Sequence, residues 1–224
     1  MTVLLDRPDD EEQIYRARGS DLSPARPLLT GDVLEDVELP GQEERTAMIV
    51  AHPCSMRRGI TLAAKLTCAP VTDYQHIPPE GWNGHFSVFP LASFTPNDEH
   101  RAARLDRLVS LDSADCRTER RIACLEHSGI YLLQQRLIHC LARCKVKVST
   151  IRASMEHVLE EAELQEEWVE RLAELGDREA IAEQAENFDA FLSENELRTS
   201  LRDPNRRSSV VARVAREIRL RASA

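Results

Sequence analysis

No apolar run in this 224-residue chain approaches the ~20 residues that a membrane-spanning helix needs, so no bilayer segment is expected. Lysine is nearly absent: Lys65, Lys145 and Lys147 stand alone, every other basic residue is arginine, and this bias is of the kind GC-rich bacterial coding produces. Phosphate-binding loops, dinucleotide glycine fingerprints, Gly-x-Ser-x-Gly elbows and His-Glu-x-x-His helices are all missing, which argues against nucleotide-driven chemistry. The amino-terminal stretch carries early acidic residues and no apolar core before a small-residue cleavage site. It therefore does not read as a signal peptide, and a cytoplasmic protein with its six cysteines reduced is expected.

What is present suffices for a folded core: 42% of residues are hydrophobic. The formal net charge of −9 argues against a general coat for nucleic acid or anionic membrane, although local patches are not excluded by a sum. Charge alternates along the back half. Residues 101–150 are net basic, 151–200 strongly acidic, and 201–224 basic again.

Residues 1–27 hold three prolines, an acidic run and little periodicity, and read as a flexible arm. From 28 to 127, short β-branched or alternating stretches at 33–39, 46–51, 61–67, 86–91 and 121–125 are punctuated by turn residues, including one cluster at 95–98. This pattern predicts a small antiparallel barrel. From 128 to 224 the period changes to three and four: Ser128 is positioned to cap a first helix, Gly176 to end a second in a left-handed conformation, and Asp203-Pro204 to open the last. The fold class expected is α+β, a β-barrel followed by a helical carboxyl-terminal region.

Gly31-Asp32-Val33 followed by the strand Arg45-Thr-Ala-Met-Ile-Val-Ala51 resembles the opening of the MazF/PemK toxin barrel, over about residues 28–70. The resemblance implies an SH3-like barrel, a place in a toxin–antitoxin system, and metal-independent cleavage of single-stranded RNA. By position it assigns the catalytic arginine to Arg45 and the catalytic threonine to Thr67, with Glu44 nearby as acid or base. Such cleavage needs a proton acceptor, a proton donor and a cation fixed beside the phosphate.

The run His52-Pro-Cys-Ser-Met-Arg57-Arg58-Gly59 directly follows the most hydrophobic strand. His52 is a candidate general base, and Arg57 and Arg58 are candidate phosphate ligands; the bland alternative is a proline-initiated turn. Cys124-x2-His127 with Cys140-x3-Cys144 offers four zinc-type ligands, but Cys140 and Cys144 fall on an apolar helical stripe and read as core. No metal or cofactor is expected. The last helix sets Arg213, Arg216, Arg219 and Arg221 around an apolar stripe and suits RNA, DNA or an acidic partner, unless the acidic 151–200 block absorbs it. Two functions follow. One is a nucleic-acid-associated barrel, with a divergent endoribonuclease as its sharpest form. The other is a non-catalytic adaptor that binds a protein partner, or a second copy of itself, through Trp168, Val169, Arg213 and Arg216.

Overall fold

The computed structural model describes residues 4–94 and 99–223, and the turn expected at 95–98 lies outside them. The first part of the chain gives β1 (Tyr15–Arg18), β2 (Val33–Leu34), β3 (Ala47–Ile49), a single helical turn α1 (Pro53–Met56), and a ribbon of β4 (Arg57–Arg58) with β5 (Thr61–Leu62). There follow the long strand β6 (Lys65–Asp73), then β7 (Val88–Leu91), β8 (Arg101–Arg104), β9 (Val109–Asp112) and β10 (Arg121–Leu125). Five helices complete it: α2 (His127–Ala142), α3 (Val148–Leu172), α4 (Arg178–Glu194), the short α5 (Leu197–Leu201) and α6 (Pro204–Ala222).

The main sheet is antiparallel, in the order β1-β10-β2-β3-β6-β8-β7, with β9 also paired to β6. The ends of this path, β1 and β7, are not paired with each other among the described residues. The sheet is thus a half-barrel and not the closed SH3 barrel that the sequence suggested. Strand β6 is its hub. One edge pairs with β3, while the other changes partner, from β9 at Lys65–Cys68 to β8 at Val71–Asp73. Pro70 falls at that change. The Val71 N–H donates to Thr46 O on the β3 side, so the proline nitrogen faces the gap between β9 and β8, where a missing donor costs least.

Residues 4–27, read from sequence as a flexible arm, carry an edge strand instead. Tyr15, Ala17 and Arg18 pair with Leu125, Cys124 and Ala123, and Leu5 and Ile14 are buried. Polar strand residues hid this element, because β1 shows solvent an outer face that looks like coil.

The chain divides into two units. The first comprises residues 1–22, 28–56 and 62–154, and the second 23–27, 57–61 and 155–224. In the first, Leu34, Val37, Ala47, Ile49, Leu66, Cys68 and Leu111 form one buried cluster. The Gly31-Asp32 pair has a structural reason here. Gly31 has φ +88° and lies so close to Leu125 that a Cβ would sit 2.9 Å from its side chain. Asp32 makes a buried ion pair with Arg121 of β10 at 3.1 Å and accepts the Leu29 N–H at 3.0 Å.

In the second unit Trp168 and Val169 of α3, Phe188, Phe191 and Leu192 of α4, Leu197 and Leu201 of α5, and Val210, Val214 and Ile218 of α6 form the core. Two outlying segments belong to it: Arg26 pairs with Glu166 at 3.0 Å, and Arg57 donates to Gln165 Oε1 at 2.6 Å. Helix starts follow local chemistry. Asp177 accepts the Glu179 and Ala180 N–H groups at the start of α4, and Asp203 accepts the Asn205 N–H with Pro204 in the first turn of α6. Two expected caps differ. Glu126, not Ser128, caps α2, and Ser128 donates instead to Gln13 O. Gly176 is not among the residues with positive φ. Among the described residues no helix is long and apolar enough to cross a membrane.

Candidate functional site

The β3–β6 register decides whether a ribonuclease centre can assemble. Val50 and Ala51 N–H donate to Thr67 O at one end of the ladder, while Val71 N–H donates to Thr46 O at the other. Thr67 and Val71 are separated by four residues, roughly 13 Å of strand. Arg45 therefore lies at the opposite end from Thr67, and Glu44 goes with Arg45. Each is engaged locally: Arg45 with Asp36 at 3.7 Å, and Glu44 with Arg107 at 3.7 Å. His52 follows Ala51 and shares the Thr67 end. The four residues assigned to catalysis are thus split into two pairs, and the cation is not beside the threonine.

His52 is the acceptor end of a one-turn helix. Its carbonyl takes the Ser55 and Met56 N–H groups, and its Nδ1 takes the Cys54 N–H at 3.2 Å. With Nδ1 accepting, the proton is assigned to Nε2, which faces Ser154 Oγ at 3.5 Å; the Cys54 thiol donates to Ser154 O at the same distance. Burial lowers the basicity of the ring. This arrangement fixes a turn and leaves the imidazole without a free lone pair for base catalysis.

Arg57, expected as a phosphate ligand, is buried, and its Nε and Nη2 donate to Gly59 O at 2.9 and 2.7 Å. It closes its own turn, in which Gly59 has φ +60° and a Cβ would fall 2.1 Å from Asp189 Oδ1. Arg58 is exposed. Arg45, Arg57 and Arg58 therefore do not act as three equivalent surface cations. Trp168 and Val169, expected at a partner surface, are fully buried. Trp168 packs on Phe188 and Phe191, with the Arg221 guanidinium over its ring at 4.8 Å. Helix α3 is covered by α4 and α6 of its own unit, so the two residues are core and not a partner surface. Of the zinc-type cysteines, Cys124 is core, but Cys144 is exposed beyond the end of α2.

The outer face of α6 is the site that remains. Val210, Val214 and Ile218 point into the core, and Arg207 turns inward to Glu156 at 2.6 Å. At 100° per residue the opposite face presents Arg206, Arg213, Arg216 and Arg219 with Asn205, Ser209 and Ala212 between them, all exposed. Arg206 lies 3.5 Å from Asp203 and Arg213 bonds Asn195, while Arg216 and Arg219 make no ion pair among the described residues. The acidic block thus neutralises the inward arginine and leaves the outward row. Arg206 and the exposed Leu220 were missed from sequence, although the seven-residue step from Arg206 to Arg213 would have placed Arg206 on the same face. Also unforeseen is a cavity of about 290 Å³ in the first unit, with Asp6, Arg7, Tyr131 and Leu132 in its lining.

No protein-family model matches this sequence, and no curated protein is similar to it.

Proposed function

We propose that the protein is a nucleic-acid-associated factor that grips the phosphate backbone of single-stranded RNA with the outer face of α6 and does not cleave it. One observation carries this reading: four exposed arginines on one helical face, from Arg206 to Arg219 or roughly 20 Å, separated by small side chains that let a chain approach closely. Guanidinium groups suit this role, since each offers a fork of donors to phosphate oxygens and stays charged at all relevant pH. Nuclease chemistry drops out of the proposal, because Arg45 and Glu44 lie a ladder's length from Thr67 and His52. An origin in a MazF/PemK-like SH3 barrel that has opened along one seam is consistent with the Gly31-Asp32-Val33 order and the half-barrel. A cytoplasmic, bacterial setting fits the same reading.

A second reading rests on Leu220, which is 58% exposed amid the arginines. Such a mixture also suits an adaptor surface for an acidic protein or a second copy of this chain.

The test is fluorescence anisotropy with a mixed-sequence single-stranded RNA across 50–200 mM salt. Four neutralised phosphates give a slope of about −2.8 in log K against log salt, or about 50-fold weaker binding over that range. Arg213→Ala/Arg216→Ala/Arg219→Ala should reduce the slope to about −0.7. RNA incubated in EDTA should remain intact. Absent binding at 50 mM salt, or a triple variant that binds as the parent does, refutes the RNA reading and leaves the adaptor.

A further inference from the structure

A cleft in the first unit lies between the amino-terminal segment 6–13, the first half of α2 and the connection from α2 to α3. One part of it is the cavity of about 290 Å³, whose apolar lining comes from Pro8, Tyr131, Leu132 and Val148. A second part, of about 570 Å³, has Lys145 and Lys147 in its lining. Asp6 and Val148 line both and so mark where the two meet. The walls are held in place by the protein itself. Gln135 is fully buried; it accepts the Asp6 N–H at 2.8 Å and donates through Nε2 to Asp6 Oδ2 and Val146 O at 2.5 and 2.7 Å, so one side chain clamps the segment to the connection. Asn83 Oδ1 accepts the Leu5 N–H at 2.8 Å, and Gly129 lets the segment lie directly on α2, since a Cβ there would fall 2.5 Å from Ile14 O. A cleft built in advance asks little ordering of what enters it.

Charge selects the occupant. Among the described residues Lys145, Lys147 and Asp9 make no ion pair, whereas Arg7, in the same lining, lies 3.8 Å from Glu80. A simple anion drawn by the lysines would meet the Asp6 and Asp9 carboxylates, and a simple cation held by the aspartates would leave both lysines unused. A zwitterion satisfies both. We propose that the cleft binds a free α-amino acid with an apolar side chain. Its ammonium sits on Asp6, whose Oδ1 is left open by Gln135; its carboxylate sits between Lys145 and Lys147; its side chain lies against Tyr131 and Leu132. The volume agrees, because about 290 Å³ is just under the ~300 Å³ at which sites for drug-sized ligands begin. This inference does not rest on RNA binding by α6, which belongs to the other unit.

The test is isothermal titration calorimetry of the full-length protein with L-phenylalanine, with 3-phenylpropanoate, which lacks the ammonium, and with phenethylamine, which lacks the carboxylate. L-Phenylalanine should bind one per chain with a Kd below about 1 mM. Each analogue should bind about fivefold more weakly, the upper range of one exposed ion pair. Asp6→Asn should weaken L-phenylalanine about fivefold without weakening 3-phenylpropanoate, and Lys145→Ala/Lys147→Ala should weaken L-phenylalanine at least as much without weakening phenethylamine. In methyl NMR of the unaltered protein, Leu132 and Val148 should shift as L-phenylalanine is added, a readout that depends on no variant folding. Absent saturation below about 10 mM, an analogue that binds as tightly as L-phenylalanine, folded variants that bind it as the parent does, or saturation with the Leu132 and Val148 methyls unmoved overturns the proposal.

Discussion

Replacing Asp32 tests the account of the half-barrel at a buried ion pair. Its carboxylate and the Arg121 guanidinium are 1% and 2% exposed, and they join β10 to the Gly31-Asp32 turn that leads into β2. Removing one member of such a pair leaves the other charge buried without its counter-ion, at a cost of about 3–5 kcal/mol. Asp32→Ala also removes the acceptor for the Leu29 N–H. With an m-value of about 2 kcal/mol/M in urea, the unfolding midpoint of the first unit should fall by about 2 M. The reporter is Trp82, which belongs to that unit, read in a Trp168→Phe background so that the second unit is silent. The informative partner is the double variant Asp32→Leu/Arg121→Met. Among the described residues Asp32 Oδ1 has no hydrogen-bond partner, so the carboxylate is imperfectly satisfied and its desolvation is not fully offset. Apolar replacement of both ends should therefore recover most of that loss, about 3 kcal/mol or more relative to Asp32→Ala. An Asp32→Ala variant within about 1 kcal/mol of the parent, or a double variant no better than the single, would refute the reasoning, because the Arg121 charge would then be compensated without Asp32.

Two further outcomes follow from buried polar groups. The Arg136 guanidinium is wholly buried, donates to Trp82 O, His85 O and Val88 O, stacks over the Trp82 ring, and is brought down to about 10 by desolvation. Arg136→Met should cost about 2–4 kcal/mol with altered Trp82 emission, and Arg136→Lys should recover only part, since a compact ammonium cannot span three carbonyls. A methionine variant of parental stability sinks that account. His52 should titrate below the ordinary histidine value of about 6.5 in NMR, with the proton on Nε2. Its folded value is depressed, so both states are neutral above the unfolded value, and stability falls as pH drops from there towards the folded value. A midpoint at or above the ordinary value would show that burial does not control this ring.

The second unit was more legible than the first, and the reason is the range of the interactions. Asp177 and Asp203-Pro204 mark the starts of α4 and α6 through bonds that reach two or three residues, so the chemistry is readable from the string itself. Strand β1 depends on β10, more than a hundred residues away, and nothing within Tyr15–Arg18 announces that partner. Gly31-Asp32 was noticed for a resemblance, but its cause was hidden for the same reason: the glycine answers to Leu125 and the aspartate to Arg121, both on β10. The candidate catalytic set failed on register. Sequence order put Arg45 and Thr67 on consecutive predicted strands, yet in an antiparallel ladder the start of one strand faces the end of the next, so residues near a strand's start and near the following strand's end can be neighbours or a ladder apart depending on where β6 begins and ends. Strand β6 runs on to Asp73 instead of stopping at Thr67, and that extension is what moves Thr67 away from Arg45. Helix α6 is free of this ambiguity. Its valines, isoleucine and arginines are sorted by a period that the backbone imposes on every residue, so the outward arginine row is fixed once Val210, Val214 and Ile218 are known to be inside. Period alone sorts the residues of a single helix, whereas a centre built across strands waits on register.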